Sequence, residues 1–124
     1  MGILENKRLL ITGILTDSSL AFGVAQLALA EGAEVVVTGA GRGLRLTERT
    51  IRKLNGDVEV MEFDVTNPEH VSNIRDSLTD KWGKVDGALH AIGFMPEIGL
   101  GEDFLAGQWK DLSLGFEISA YSLK

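Results

Sequence analysis

Residues 8–22 read Arg8-Leu9-Leu10-Ile11-Thr12-Gly13-Ile14-Leu15-Thr16-Asp17-Ser18-Ser19-Leu20-Ala21-Phe22. The first five form a short apolar run closed by Gly13, and residues 19–31, rich in Ala and Leu, read as a helix ended by Gly32. A buried strand that passes through a glycine into a helix leaves unpaired helix N–H groups near the strand's end, where an anion fits. Gly13 lets the backbone turn sharply there. The spacing departs from Gly-x-Gly-x-x-Gly, because Leu15 stands at the second glycine's place and Ser18 at the third's. The loop is instead Gly-x5-Ser-x-Ala, with Ser19 as its key polar residue and Ala21 small enough for close packing. Two readings stay open on this segment alone. One is a loop that holds the pyrophosphate of a dinucleotide. The other is a plain strand-to-helix turn with Ser18 or Ser19 as N-cap. Asp17 counts against the first, since a carboxylate beside pyrophosphate repels it.

Working outward, the same alternation continues. Glu34-Val35-Val36-Val37-Thr38 is a second apolar run, β-branched and closed by Gly39. Residues 44–54 carry Leu44, Ile51 and Leu54 at helical spacing, and residues 58–65 read as a third strand. Over residues 68–82, Val71, Ile74, Leu78 and Trp82 share one helical face, with Arg75, Asp76 and Asp80 off it. Residues 85–92 read as a fourth strand. Continuous apolar strands separated by helices predict a parallel sheet buried on both faces, an α/β doubly wound fold. Residues 96–107 are Gly- and acid-rich and read as a loop; residues 108–124 begin another helix with Trp109, Leu112, Phe116 and Ala120 on one stripe. No Gly, Asn or Pro stop signal follows, which predicts a helix without an end and a sheet truncated after the fourth strand and the start of the following helix.

Composition narrows the function. With 124 residues, 44% hydrophobic and 24% charged, the chain reads as one globular domain rather than a disordered segment. A net charge of −6 with no basic run argues against nucleic acid as a partner. There is no Cys, so disulfides and thiolate metal sites are impossible, and the two His residues, His70 and His90, are too few for a histidine-rich metal site. The N-terminus lacks the apolar run of a signal peptide, and no apolar stretch approaches the ~20 residues needed to span a bilayer. The expectation is a cytoplasmic protein with no membrane partner.

The ends of the other strands carry the remaining candidates. The second strand ends in Thr38-Gly39-Ala40-Gly41-Arg42-Gly43, without the acid that would accept from a ribose 2′-hydroxyl. Arg42 can meet a 2′-phosphate or lie solvated in a Gly-rich loop, so NADH and NADPH both stay open. Asp64 closes the third strand, where its carboxylate can accept from an adenine amino group. Beside it, Thr66-x-x-Glu69 reads as a capping box with Pro68 in the first helical turn. After the fourth strand, Gly93 allows close backbone approach near where a nicotinamide would lie. Phe94 and Met95 offer apolar surface to a greasy substrate, or are core side chains of a tight turn. His90 reads as a hydrogen-bonded core or rim residue, His70 as part of a solvated helix. Tyr121 and Lys124, three apart, read as structural or interface residues.

Taken in order, residues 13–22, Asp64-Val65, Ile92-Gly93-Phe94-Met95-Pro96 and Ile118-Ser119-Ala120-Tyr121-Ser122 resemble the NADH-dependent enoyl-[acyl-carrier-protein] reductases, the mycobacterial type in particular. The resemblance covers essentially the whole chain. It implies a Rossmann-type fold of the short-chain dehydrogenase/reductase superfamily, usually a homotetramer. It also implies reduction of the trans-2 double bond of an enoyl thioester, carried on acyl carrier protein or CoA, in fatty acid (mycolic acid) elongation. By position, it places Gly13, Ser19 and Leu20 along the cofactor's pyrophosphate and Asp64 and Val65 against adenine, with Ile14 also among the cofactor-binding residues. Ile92 and Gly93 fall on the ribose and nicotinamide side, and Ile118 also borders the cofactor. Phe94, Met95 and Leu100 border the acyl pocket. Ala40 departs from the pattern, standing where the nearest relatives place an aromatic residue against adenine. The family's catalytic Tyr and Lys fall beyond residue 124, so no catalytic residue is assigned. Residues 1–124 are then expected to be the N-terminal, cofactor-binding part of a single Rossmann domain, with a non-catalytic dinucleotide-binding module as the alternative. Edges and apolar faces left uncovered predict an oligomer.

Overall fold

The computed structural model describes residues 2–124, apart from the side chain of Phe104. Two compact units divide the chain, one running through Ala91 and one over Ile92–Lys124.

The first unit is a Rossmann-like α/β sheet. Its elements are β1 (Arg8–Ile11), α1 (Leu20–Ala30), β2 (Glu34–Gly39), α2 (Leu44–Thr50), β3 (Glu59–Glu62), α3 (Pro68–Trp82) and β4 (Gly87–Leu89). The strands lie in the order β3-β2-β1-β4, and every neighbouring pair is parallel. Alternation along the strands sends side chains to opposite faces. Ile11, Val35 and Val37 pack with Ala21, Phe22, Ala25 and Ala28 of α1 and with Leu54 beyond α2. Val36 faces the other way, onto Ile74, Leu78 and Trp82 of α3, with Leu10 and Met61 beside it. Helices therefore cover both faces. The expectation that all the strands are buried on both sides holds best for β2, whose residues 35–39 are all buried; β3 and β4 are sheet edges, and Ala88 in β4 is exposed.

Local chemistry sets the helix ends. α1 buries alanines, which lets its backbone lie close to the sheet, and it ends in a Schellman motif. Ala33 N donates to Ala28 O at 2.9 Å and Gly32 N to Leu29 O at 3.1 Å, with Gly32 at φ +92°. α3 begins one residue later than its expected capping box. Asn67, not Thr66, is the N-cap and accepts from Glu69 N at 3.0 Å, because both the amide and the hydroxyl of Thr66 are given to Asp64 Oδ1. The helix expected over residues 44–54 stops at Thr50 and tightens into a 3₁₀ turn at Ile51–Lys53. Adjacent β-branched Thr50 and Ile51 disfavour a further α turn.

Polar ties close the amino edge of this sheet. Arg8 Nη1 donates to Trp82 O at 2.7 Å, the Trp82 indole donates to Glu34 at 3.0 Å, and Arg8 N donates to Asp86 Oδ2 at 2.8 Å.

In the second unit, α4 (Trp109–Ser119) opens with a capping box formed by Gln108 and Asp111. The expected helix without an end is corrected: Ala120 leaves helical geometry at φ −125°, and Tyr121–Leu123 is a separate 3₁₀ turn. The expected apolar stripe is not a buried face either. Trp109 and Phe116 are exposed, their rings 5.7 Å apart, while Gly115 is the buried residue of this helix.

At the carboxyl edge of the first unit, Thr12 extends the β1–β4 ladder with its side chain. Its hydroxyl donates to Leu89 O at 2.8 Å and accepts from Ala91 N at 3.0 Å. Thr12→Val keeps the shape and deletes both bonds, so it should lower unfolding stability by about 2 kcal/mol in denaturant titration, with Thr12→Ser recovering most of it; equal stability of the valine variant would show that the bridge contributes nothing.

Candidate functional site

The strand order places β2 and β3 on one side of β1 and β4 on the other. A crevice therefore opens at the carboxyl ends of β1 and β4, the place where open α/β sheets take ligands. Gly13 sits at its mouth with φ +84°, and a Cβ there would overlap the Ala91 carbonyl. The glycine is thus required by the protein's own backbone, at the sharp turn expected there. Ile14, the next residue, is buried in the core and can offer a ligand only its backbone.

The loop from Ile14 to Ser19 is held from both sides. Thr47 Oγ1 donates to Ile14 O at 2.6 Å, and Thr50 Oγ1 donates to Leu15 O at 2.7 Å. On the other side, Leu15 N and Thr16 N both donate to Ser19 Oγ, at 3.1 and 3.2 Å. Ser19 occupies the N-cap position of α1, yet its side chain makes no cap bond. The reading with Ser19 as N-cap therefore holds for its position, without the hydroxyl bond to the helix amides. Having accepted two bonds, Ser19 Oγ keeps its hydrogen for a third partner, and the first-turn amides of α1 have no side-chain cap. Leu20, the first residue of α1, is almost fully exposed.

Asp17 does not act as a free repulsive charge. Lys53 Nζ lies 2.7 Å from Asp17 Oδ2, and this bond, with the ammonium charge behind it, holds the carboxyl below its ordinary range. At the end of β2, Ala40 and Arg42 are exposed in the turn that leads to α2. At the end of β3, Asp64 Oδ1 accepts from the Thr66 hydroxyl at 2.7 Å and from the Thr66 amide at 2.9 Å. These two bonds depress its pKa, so the group is a carboxylate at neutral pH. Val65 follows it, half-buried. His70 is not simply solvated on α3: its Nδ1 accepts from Asp64 N at 3.0 Å, and Nε2 lies 3.9 Å from Glu62 Oε1. His90 is half-buried.

Gly13, Ile14, Ser19 and Leu20, together with Asp64 and Val65, therefore lie at one edge of one sheet. The remaining candidates belong to the second unit. There Gly93 is exposed, and a Cβ on it would meet nothing within 4 Å. Phe94 is half-exposed, and its N–H and C=O both bond the Ser119 hydroxyl at 2.9 Å. Met95 packs against Gly99 and Gly115, where a Cβ on either glycine would crowd its side chain. Leu100 is exposed, and Ile92 and Ile118 are half-buried. Lys124 Nζ reaches Tyr121 Oη at 3.4 Å, with both residues exposed.

The sequence reading passed over Thr12, Thr47 and Thr50. The available signal was a pair of threonines three apart in a segment whose inward positions call for apolar residues. Among the described residues, no group of three or more His, Asp or Glu side chains is placed to hold a metal ion, and no helix is long and apolar enough to cross a membrane.

Comparison with known proteins gives a consistent picture. The enoyl-[acyl-carrier-protein] reductase [NADH] of Mycolicibacterium smegmatis is 46% identical over 98% of this chain, which covers 46% of that protein. The corresponding protein of Mycobacterium avium is 40% identical over 98% of this chain and 46% of its own length. The enoyl-[acyl-carrier-protein] reductase [NADH] FabI of Neisseria meningitidis is 34% identical over 99% of the chain and 48% of its own length. The chain thus spans about half the length of the curated relatives it matches. A family model described as Enoyl-(Acyl carrier protein) reductase matches residues 13–124, beginning at the glycine that turns β1 into the loop. With its strand order, its glycine turn and nearly its whole length accounted for, the chain belongs to the enoyl-(acyl carrier protein) reductase family.

Proposed function

We propose that this chain is the cofactor-binding half of an NADH-dependent reductase acting on the trans-2 double bond of enoyl thioesters. Residues 1–124 are read as the N-terminal part of a single Rossmann domain. The substrate is carried on acyl carrier protein or CoA, and the reaction completes a cycle of fatty acid (mycolic acid) elongation. The proposed setting is cytoplasmic, and the working protein a homo-oligomer. The observation that carries this reading is the loop between β1 and α1, with Ser19 Oγ accepting two amides and retaining its hydrogen at a helix start without a side-chain cap.

That donor set fits a diphosphate. A free hydroxyl hydrogen and uncapped amides at a helix N-terminus are what a dianion needs. The loop's own carboxylate, Asp17, is paired with Lys53. The ionised Asp64 suits the adenine amino group, with Val65 against the ring. Ile92, Gly93 and Ile118 are assigned to the ribose and nicotinamide side, and Phe94, Met95 and Leu100 to the border of the acyl pocket. NADH, when bound, supplies the hydride for the β-carbon of the enoyl thioester, and a proton completes the α-carbon. The chain's own residues bind and orient: Ser19 and the start of α1 hold the phosphates, and Asp64 fixes the adenine end. NADPH stays within reach, because β2 ends without an acid and Arg42 is exposed beside it.

Isothermal titration of the chain with NADH should show saturable binding. Ser19→Ala should weaken it about tenfold, a loss of about 1.4 kcal/mol. Silence of the wild-type chain overturns the cofactor assignment.

Asp64 adds a pH signature. Its depressed pKa means that its contribution is complete above the ordinary carboxylate range and is lost only as pH falls through the lowered value. NADH affinity should therefore stay level from pH 8 to pH 5, and Asp64→Asn should weaken binding across that whole range. A variant that binds as tightly as the wild type removes Asp64 from the adenine site.

A longer form of the protein, extending to the length of its relatives, should oxidise NADH with a trans-2-enoyl thioester; reduction of ketones instead would refute the substrate assignment.

A further inference from the structure

We propose that Thr47 and Thr50 of α2 are positioning residues for the dinucleotide's phosphates, acting through the loop they touch rather than on the ligand. The inference rests on the cofactor reading above.

No peptide bond among the described residues is cis, so in each plane the C=O and the following N–H point in opposite directions. The Ile14–Leu15 plane is bound at both ends: its carbonyl accepts from Thr47 Oγ1 at 2.6 Å, and its N–H donates to Ser19 Oγ at 3.1 Å. The Leu15–Thr16 plane is bound in the same way, by Thr50 Oγ1 at 2.7 Å and Ser19 Oγ at 3.2 Å. Two successive planes are thus locked in one orientation. Both amides converge on a single hydroxyl oxygen, whose own hydrogen is left for an outside acceptor.

The threonines are costly places for hydroxyls. Thr47 is 0% exposed and Thr50 5% exposed. Valine has nearly the same shape and would fill both positions without a polar atom. Thr47 Oγ1 also lies 3.2 Å from Gly43 O, but it has one hydrogen, and the Ile14 carbonyl is the nearer acceptor. What the hydroxyls add is a partner for each of two loop carbonyls. Without them, the planes can rotate about the flanking bonds, the amides leave Ser19, and Ser19 regains other rotamers. A ligand then selects its binding arrangement from a mixture, and its affinity falls by the fraction that remains competent.

The test uses Thr47→Val and Thr50→Val, with Thr47→Ser and Thr50→Ser as the variants that keep a hydroxyl. NADH affinity is measured well below each variant's melting temperature, so that global destabilisation does not enter. Amide hydrogen exchange at Leu15 and Thr16 is measured on the free chains. Each valine variant should bind NADH about tenfold more weakly and exchange these two amides faster, while the amides of Val36 and Val37 stay protected. Each serine variant should restore both properties. If Thr47→Val fails to fold, Thr50→Val and its serine counterpart carry the test. Unchanged affinity in Thr50→Val, with the wild type binding normally, overturns the positioning role while leaving the cofactor reading intact. Absence of binding by the wild type overturns the cofactor reading itself, and the ligand part of this inference with it.

Discussion

The carbonyl of Ala91 occupies the space that a side chain on residue 13 would need, and much of the candidate site follows from that crowding. Because β1 and β4 are neighbours in the sheet, the chain leaving β1 must turn directly beside the chain leaving β4. A left-handed glycine makes the turn, and the Thr12 hydroxyl seals the seam below it by serving Leu89 and Ala91 together. Only after that turn can the loop run out to meet α1. The glycine is therefore a condition of the sheet's own topology.

Hydroxyl groups hold the loop between β1 and α1 in place. Where Gly-x-Gly-x-x-Gly relies on bare backbone, this loop carries Leu15 and Ser18 and is held instead by Thr47, Thr50 and Ser19. Side chains from a second helix thereby impose the backbone shape that additional glycines would otherwise permit. The trade substitutes enthalpic restraint for conformational licence. It also explains how an α2 that presents two threonines to the interior remains satisfied there: each hydroxyl has a carbonyl to serve, and among the described residues no buried side-chain polar atom lacks a partner.

Much of the fold was legible in the sequence because apolar periodicity and glycine punctuation both report on burial. The triple valine of β2 and the Ile74, Leu78 and Trp82 face of α3 were readable in that way, and both form core. What escaped the reading was chemistry between segments distant in sequence. One local contact escaped as well: Asp64 takes the amide and hydroxyl of Thr66 two residues on, an Asx-type turn that competes with the capping box and moves the N-cap to Asn67. Nothing near Thr47 shows that its partner lies 33 residues earlier. The Trp109 and Phe116 stripe misled because periodicity reports that a face is apolar, not that anything covers it. His70 looked solvated for a related reason: its contact is to a backbone amide, and that leaves no trace in side-chain patterning.

The position of β1 has a consequence for how the chain is made. It is made before the other three strands described here, yet one of its two neighbours is β4, and the tie from Arg8 N to Asp86 spans 78 residues. On the ribosome, β1 can pair with β2 early, but its other edge stays open until the fourth strand has left the exit tunnel. The earliest of these four strands thus gains its second neighbour only when the latest of the four is made, and closing so long a span makes that step slow relative to the local helices.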